Sequence, residues 1–278
     1  MREIDSSEIA AAVERCVLKA CITPGQDVLD ALKEAYGKES DATARAILKQ
    51  ILDNDGIAQD NCMPCCQDTG MSVVFLDIGR DVHIKGSIDD AVNEGVRQAY
   101  AKGYFRKSVL GALSRKNTGD NTPAVIHERI VDGDSVRVIC APKGFGSENM
   151  SALKMLKPAD GITGIKDFVL DTVKAAGGSP CPPTVIGIGI GGTFEYAALM
   201  AKRALMRPLD KENPDPDLAD LEEELKQKIN ALGIGPMGMG GDTYCLKVSI
   251  QEFPTHLAGL PVAVNINCHA CRHAEETV

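Results

Sequence analysis

Cys66, Cys181 and Cys268 each stand in a loop, beside Gln-Asp, Pro-Pro and His respectively, and not on an apolar face. They are three of ten cysteines in a chain of 278 residues. Cys16, Cys21, Cys140 and Cys245 fall within helix or strand patterns and read as small buried hydrophobes. Three loop thiolates far apart in sequence suit an iron–sulfur cluster with one iron left without a cysteine. Such an iron accepts a substrate hydroxyl or carboxylate as a Lewis acid. A second chemistry stays open, because Cys62/Cys65 and Cys268/Cys271 are CxxC pairs and two such pairs allow a tetrahedral zinc site. Zinc ribbons place about 15–20 residues between the pairs, whereas here nearly the whole chain intervenes. A thioredoxin-like CxxC opens a helix in a βαβ pattern, a setting neither pair has clearly.

Two glycine-rich stretches could also carry chemistry. Gly187-Ile188-Gly189-Ile190-Gly191-Gly192 matches GxGxxG between a strand pattern and a helix pattern. A dinucleotide fold needs a second strand ending in an acidic residue about 20 positions on. The chain there reads Arg207-Pro208-Leu209-Asp210, a polar loop. These glycines therefore read as sites of close packing, or as a helix start aiming N–H groups at an anion. Gly144-Phe145-Gly146-Ser147-Glu148-Asn149 can form a nest of N–H donors for a carboxylate, or an ordinary turn.

The elements that must position these residues follow from periodicity. Ser6 and Ser7 can cap a helix carrying Ile9, Val13 and Val17 on one face. Helical patterns follow at 28–36 and 42–52, the latter stopped by Asn54-Asp55-Gly56. A strand is expected at 72–78 and a helix at 91–101. Segments 124–131 and 135–141 flank Asp132-Gly133, which predicts a β-hairpin. Helices at 164–176 and 193–205 bracket an apolar strand at 184–190. Leu218, Leu221, Leu225, Ile229 and Leu232 form a helical stripe ended by Gly233. The last strands are expected at 244–251 and 262–267. Helices and strands mix without strict βαβ alternation, so the fold class is α/β in the mixed α+β sense. With no internal repeat and no Ser- or Pro-rich linker, residues 1–278 read as a single domain.

Composition removes several function classes. The net charge of −9 is opposite to that of a nucleic-acid binder. Aromatics make up 4% with no Trp, so platforms for stacking bases are scarce. The start, MREIDSSEIA, is neither a signal peptide nor a transit peptide. No apolar run approaches the roughly 20 residues that span a bilayer. The expectation is a cytoplasmic protein with reduced thiols.

Taken together the motifs resemble a known family. Cys66-Gln67-Asp68-Thr69-Gly70 looks like the signature of the oxygen-sensitive class I fumarases and the related L-tartrate dehydratases. In the same order follow Asn117-Thr118-Gly119, the glycine loop at 144–149, Cys181-Pro182-Pro183 with Ile190-Gly191-Gly192-Thr193, and His256 followed by Pro261 and Cys268. The resemblance spans about residues 61–272, and five ordered motifs are together specific.

The resemblance implies the class I fumarase N-terminal-type domain, with mixed β-sheets flanked by helices. It implies an iron–sulfur hydro-lyase interconverting fumarate and L-malate in the tricarboxylic acid cycle. Cys66, Cys181 and Cys268 would ligate a [4Fe–4S] cluster whose fourth iron has no cysteine. Gln67, Asp68, Arg106, the Gly146 backbone and His256 would line the pocket for a C4-dicarboxylate, with Asp68 and His256 as catalytic residues. Arg106, in Phe105-Arg106-Lys107-Ser108, offers a bidentate fork for a carboxylate. Single-chain members continue into a second domain after the last cluster cysteine, whereas this chain stops at Val278. The resemblance is therefore to the α subunit of the two-subunit form, with a β subunit completing the site in an α-homodimer or α2β2 assembly. L-Tartrate or a related hydroxy-diacid is the alternative substrate, although Gly146-Ser147-Glu148-Asn149 favours fumarate. A zinc-stabilised CxxC binding protein is the remaining alternative.

Overall fold

A computed structural model describes residues 2–278. The elements run β1 (Arg2–Asp5), α1 (Ser6–Ile22), α2 (Gln26–Lys38), α3 (Ala42–Asp60), β2 (Met71–Gly79), β3 (Val82–Lys85), α4 (Ile88–Lys102), β4 (Val125–Val131), β5 (Val136–Lys143), α5 (Phe145–Glu148), β6 (Ala152–Leu156), α6 (Gly161–Ala176), β7 (Thr184–Gly191), α7 (Phe194–Ala204), α8 (Pro216–Asn230), β8 (Cys245–Phe253), β9 (Leu260–Asn267) and β10 (Ala274–Thr277). The mixed α and β character expected from the sequence is what the chain adopts. Its internal contacts divide it into two compact units. One takes the chain up to Gly25, Asn54–Phe145 and Arg272–Val278, and the other takes Gln26–Asp53 and Gly146–Cys271. No helix of the described residues is long and apolar enough to cross a membrane.

The first unit is built on a four-stranded sheet of order β10-β5-β2-β4. The hairpin predicted across Asp132-Gly133 does not form. β2 lies between the two strands, parallel to β4 and antiparallel to β5. The reason is burial: Val73, Val74, Phe75, Leu76 and Ile78 are all buried. A strand with both faces covered takes the centre of a sheet, where each edge finds a partner. The β4–β5 turn instead reaches over the end of β2. There Gly79 N donates to Ser135 O at 2.9 Å and Asp81 N to Gly133 O at 3.0 Å.

Helices α1 and α4 cover this sheet, and Ile9, Val13 and Val17 are fully buried as the pattern predicts. The cap of α1 is Asp5, not Ser6 or Ser7. Its carboxylate accepts from Ser7 N at 2.9 Å, and Glu8 accepts from Asp5 N at 3.1 Å, forming a capping box. α3 also departs from expectation, running through Asn54-Asp55-Gly56 to Asp60. Leu48, Ile51, Asp55 and Ala58 continue one buried face at helical spacing. The Asn54 side chain, with no turn to close, donates to Cys65 O at 2.8 Å.

The second unit carries a sheet of order β6-β9-β7-β8. Strand β7 alternates Ile and Gly, and the alternation sorts its two faces. Ile186, Ile188 and Ile190 join the core with Val169 and Val173 of α6 and Leu225 and Ile229 of α8. Gly187 and Gly189 face α7. A Cβ on them would lie 2.1 Å from Ala201 O and 2.0 Å from Ala197 O. The GxGxxG segment is therefore a packing device that lets α7 rest on the sheet backbone.

Candidate active site

In the first unit the Cys66-Gln67-Asp68-Thr69-Gly70 turn leads into β2. Gly70 has φ +76°, and a Cβ there would lie 2.5 Å from the Lys143 carbonyl, so this turn presses against the end of β5. Asp68 ties the same two segments together: Oδ1 accepts from Gly70 N and Oδ2 from Phe145 N, both at 3.0 Å. Buried Thr69 donates its hydroxyl to Arg106 O at 3.0 Å, which fixes the Arg106 backbone against the turn. The side chains of Gln67 and Arg106 are exposed.

The segment holding Arg106 is a long irregular loop between α4 and β4. Asn121 organises it, accepting from Ser108 N at 2.7 Å and donating to Gly70 O at 3.1 Å. Asn117 of the Asn-Thr-Gly motif donates to Lys107 O at 2.9 Å, and Thr118 N donates to Val109 O. These exposed motif residues thus hold the arginine loop in shape.

In the second unit Cys181 lies in a turn after α6, exposed, with a left-handed φ of +55°. Its N–H donates to Gly178 O at 3.1 Å. His269 N donates to Cys181 O at 3.2 Å, so the segment bearing Cys268 is fastened to the Cys181 turn. Gly146 closes on the same place, where a Cβ would lie 3.8 Å from Ser179 O. His256 is exposed on the β8–β9 loop, which Thr255 anchors by donating to Gly192 O at 2.9 Å. His256 Nδ1 accepts from Ala258 N at 3.2 Å, so a neutral ring carries its proton on Nε2.

The cysteines sort by environment. Cys16, Cys21, Cys140 and Cys245 are buried, as their patterns predict. Burial pushes the Cys21 and Cys245 thiols up to about 12 and raises Cys140 as well, so none of these three is a thiolate at neutral pH. Cys66 and Cys268 are half-buried and Cys181 is exposed. Accessible loop thiols are the donor chemistry that an iron–sulfur cluster requires. The CxxC partners behave differently: Cys65 and Cys271 are buried, Cys271 Sγ accepts from Asn267 Nδ2 at 3.4 Å, and Cys62 is exposed. Among the described residues, no group of three His, Cys, Asp or Glu side chains converges as a site for a single metal ion.

Several residues at these loops escape a reading of motifs. Arg272 is buried, and its Nη2 lies 3.3 Å from where a Gly144 Cβ would stand, as does Asp68 Oδ2. Glu148 pairs with Lys202, and Asn265 donates to Glu148 Oε2 and Ser151 Oγ, both at 2.8 Å. That network joins the glycine loop, α7 and the strand leading to Cys268. Asn265, one of two buried asparagines in an otherwise apolar β9, is its local signal.

Residues 10–277 match the family described as Fumarate hydratase (Fumerase). The chain belongs to this family. It is 46% identical over 274 residues to a protein of Methanocaldococcus jannaschii provisionally named L(+)-tartrate dehydratase subunit alpha, covering 96% of each chain. It is 31% identical over 250 residues to the L(+)-tartrate dehydratase subunit alpha of Escherichia coli K12, covering 88% of this chain and 82% of the other. The protein is thus an enzyme of the hydro-lyase class, as its motifs imply.

Proposed function

We propose that this chain is the α subunit of an oxygen-sensitive iron–sulfur hydro-lyase acting on a C4-dicarboxylate, with L(+)-tartrate as the substrate. The sorting of the cysteines carries the cluster: Cys66, Cys181 and Cys268 stand in accessible loops, while the packing cysteines are buried. The names of the relatives support tartrate over malate. The fumarate–malate pair is the second reading, supported by the family description and by Gly146-Ser147-Glu148-Asn149.

Dehydrating a hydroxy-diacid breaks a C–O bond to a poor leaving group and a C–H bond beside a carboxylate. A cluster held by the three cysteines would supply a Lewis-acidic iron for the hydroxyl. Arg106 forks a substrate carboxylate and stabilises the charge that builds there as the proton leaves. The Gln67 amide and Gly146 N–H add neutral donors. His256 presents Nε2–H to a substrate oxygen, since its Nδ1 is occupied by Ala258 N. The Asp68 carboxylate accepts two backbone N–H groups and keeps lone pairs to orient a substrate hydroxyl. A separate β subunit supplies the base.

Anaerobic purification followed by a visible absorption spectrum tests the cluster. The protein is expected to be brown and to bleach in air, and Cys181→Ser to lose the colour. Colourless, zinc-containing protein, or full iron loading in Cys181→Ser, would overturn the assignment. A substrate panel on the αβ complex is expected to favour L(+)-tartrate over L-malate in kcat/KM.

A further inference from the structure

We propose that Glu39 is a positioning residue for Cys181, pinning the glycine-rich 233–243 segment that holds the Cys181 turn. The proposal rests on the reading of Cys181 as a cluster ligand.

Glu39 follows α2 and is fully buried. Its carboxylate is spent on backbone. Oε1 accepts from Asp242 N at 2.9 Å and Asp41 N at 3.2 Å, and Oε2 accepts from Asp242 N and Thr243 N at 3.1 Å. Asp242 answers in kind, accepting from Ser40 N at 2.9 Å and Ser40 Oγ at 2.6 Å. Between them Gly241, at φ +110°, leaves no room for a side chain, because a Cβ would lie 2.5 Å from Ala44 Cβ. The α2–α3 junction and residues 241–243 are therefore clamped from both directions.

The next residue, Tyr244, grips both ends of the Cys181 turn. Its carbonyl accepts from Thr184 N at 2.7 Å and from the Thr184 hydroxyl at 3.0 Å, and its own hydroxyl donates to Gly177 O at 2.9 Å. Earlier in the same segment Met237 N donates to Pro182 O at 2.9 Å. Gly238 presses on Gly178, where a Cβ would lie 2.7 Å from the Gly178 Cα. Cys181 itself is left-handed without being glycine. Such a conformation costs of order 1–3 kcal/mol and persists only where the surroundings over-determine it. Burying a carboxylate is expensive unless every oxygen is hydrogen-bonded. Glu39 meets that condition chiefly with the N–H groups of Asp242 and Thr243, the two residues before Tyr244, so its burial is spent on the segment that sets the Cys181 thiol.

The test uses the cluster-loaded αβ complex and the apo full-length chain, each as wild type, Glu39→Gln, and Leu225→Ala as a core control in the same unit. Glu39→Gln removes one acceptor and turns an NH₂ toward a backbone N–H. Losing a hydrogen bond to a charged acceptor corresponds to about a tenfold or larger change in an equilibrium. Glu39→Gln is accordingly expected to speed cluster bleaching in air by about that factor. It should also change the alkylation rate of Cys181 in the apo chain, read by mass spectrometry against Cys268 as internal reference. Leu225→Ala should lower the melting temperature at least as much while leaving the Cys181/Cys268 ratio unchanged. An unchanged ratio and bleaching rate in Glu39→Gln, or equal changes in Leu225→Ala, would overturn the proposal. Should Glu39→Gln not fold, Ser40→Ala, which loosens only the Asp242 side of the clamp, takes its place with the same criteria. If Cys181→Ser keeps a full cluster, the ligand reading fails by itself, and the alkylation ratio still decides whether Glu39 sets that thiol.

Discussion

At the scale of single residues, the buried charges set the pH behaviour. Asp55 is 2% exposed, its Oδ1 has no hydrogen-bond partner among the described residues, and burial pushes its carboxyl up from 3.8 to about 6. A carboxyl whose folded pKa is raised is penalised when ionised. Its stabilising protonated form is fully present below the unfolded pKa and is lost as pH rises through about 6. Asp55→Asn should therefore stabilise the chain above pH 6, by on the order of 2–3 kcal/mol at pH 8, and make no such gain near pH 4. Urea unfolding at the two pH values measures this, and an equal effect at both would contradict it. Arg106 invites a second substitution. Its backbone is fixed by Thr69 while its guanidinium stays exposed. Arg106→Lys keeps the charge and loses the fork, so kcat/KM should fall about 10- to 100-fold with the visible spectrum unchanged. A drop confined to cluster content would place Arg106 outside the pocket.

At the scale of elements, glycines separate packing from propensity. Gly189 lies where a Cβ would meet Ala197 O, so Gly189→Ala must push α7 off the sheet. Overpacking of this kind costs about 1–3 kcal/mol. Gly56 is the opposite case, inside α3 with nothing within 4 Å of where its Cβ would stand. Gly56→Ala should stabilise by about 0.5–1 kcal/mol, because the helix is retained and the unfolded chain loses freedom. Thermal or urea unfolding of the pair gives shifts of opposite sign if α3 continues past Asn54. A loss of stability in Gly56→Ala would mean that the helix ends where the Asn-Asp-Gly run suggests. The β4–β5 connection makes the same point for strands. Asp132-Gly133 is a proper hairpin signal, but β2 is the more buried strand and takes the place between the two.

At the scale of the whole molecule, the proposed chemistry needs a base that this chain is not proposed to supply. The lone chain should bind the cluster yet turn over a C4 hydroxy-diacid at only a small fraction of the rate of an α plus β mixture. An anaerobic dehydration assay with and without the β subunit measures this, and full turnover by the lone chain would refute the division of labour. The same mixture should form a stable heteromer by gel filtration.

The sequence by itself determined the family, because five short motifs in fixed order are a local, one-dimensional signal that the match over residues 10–277 reproduces. It also separated the cysteines into packing and loop groups, since periodicity alone tells an apolar face from a Pro- and Gly-rich turn. For the glycines of β7 the sequence left close packing and an anion-facing helix start both open, and the contact of Gly187 and Gly189 with α7 decides for packing. Only the tertiary structure decided that Asn54-Asp55-Gly56 stays helical, that β2 parts β4 from β5, and that Glu39 clamps Asp242 and Thr243 about 200 positions away. Each of these outcomes turns on burial and on hydrogen-bond partners remote in sequence. A buried strand must satisfy both edges, and a buried carboxylate must find N–H groups wherever the fold brings them.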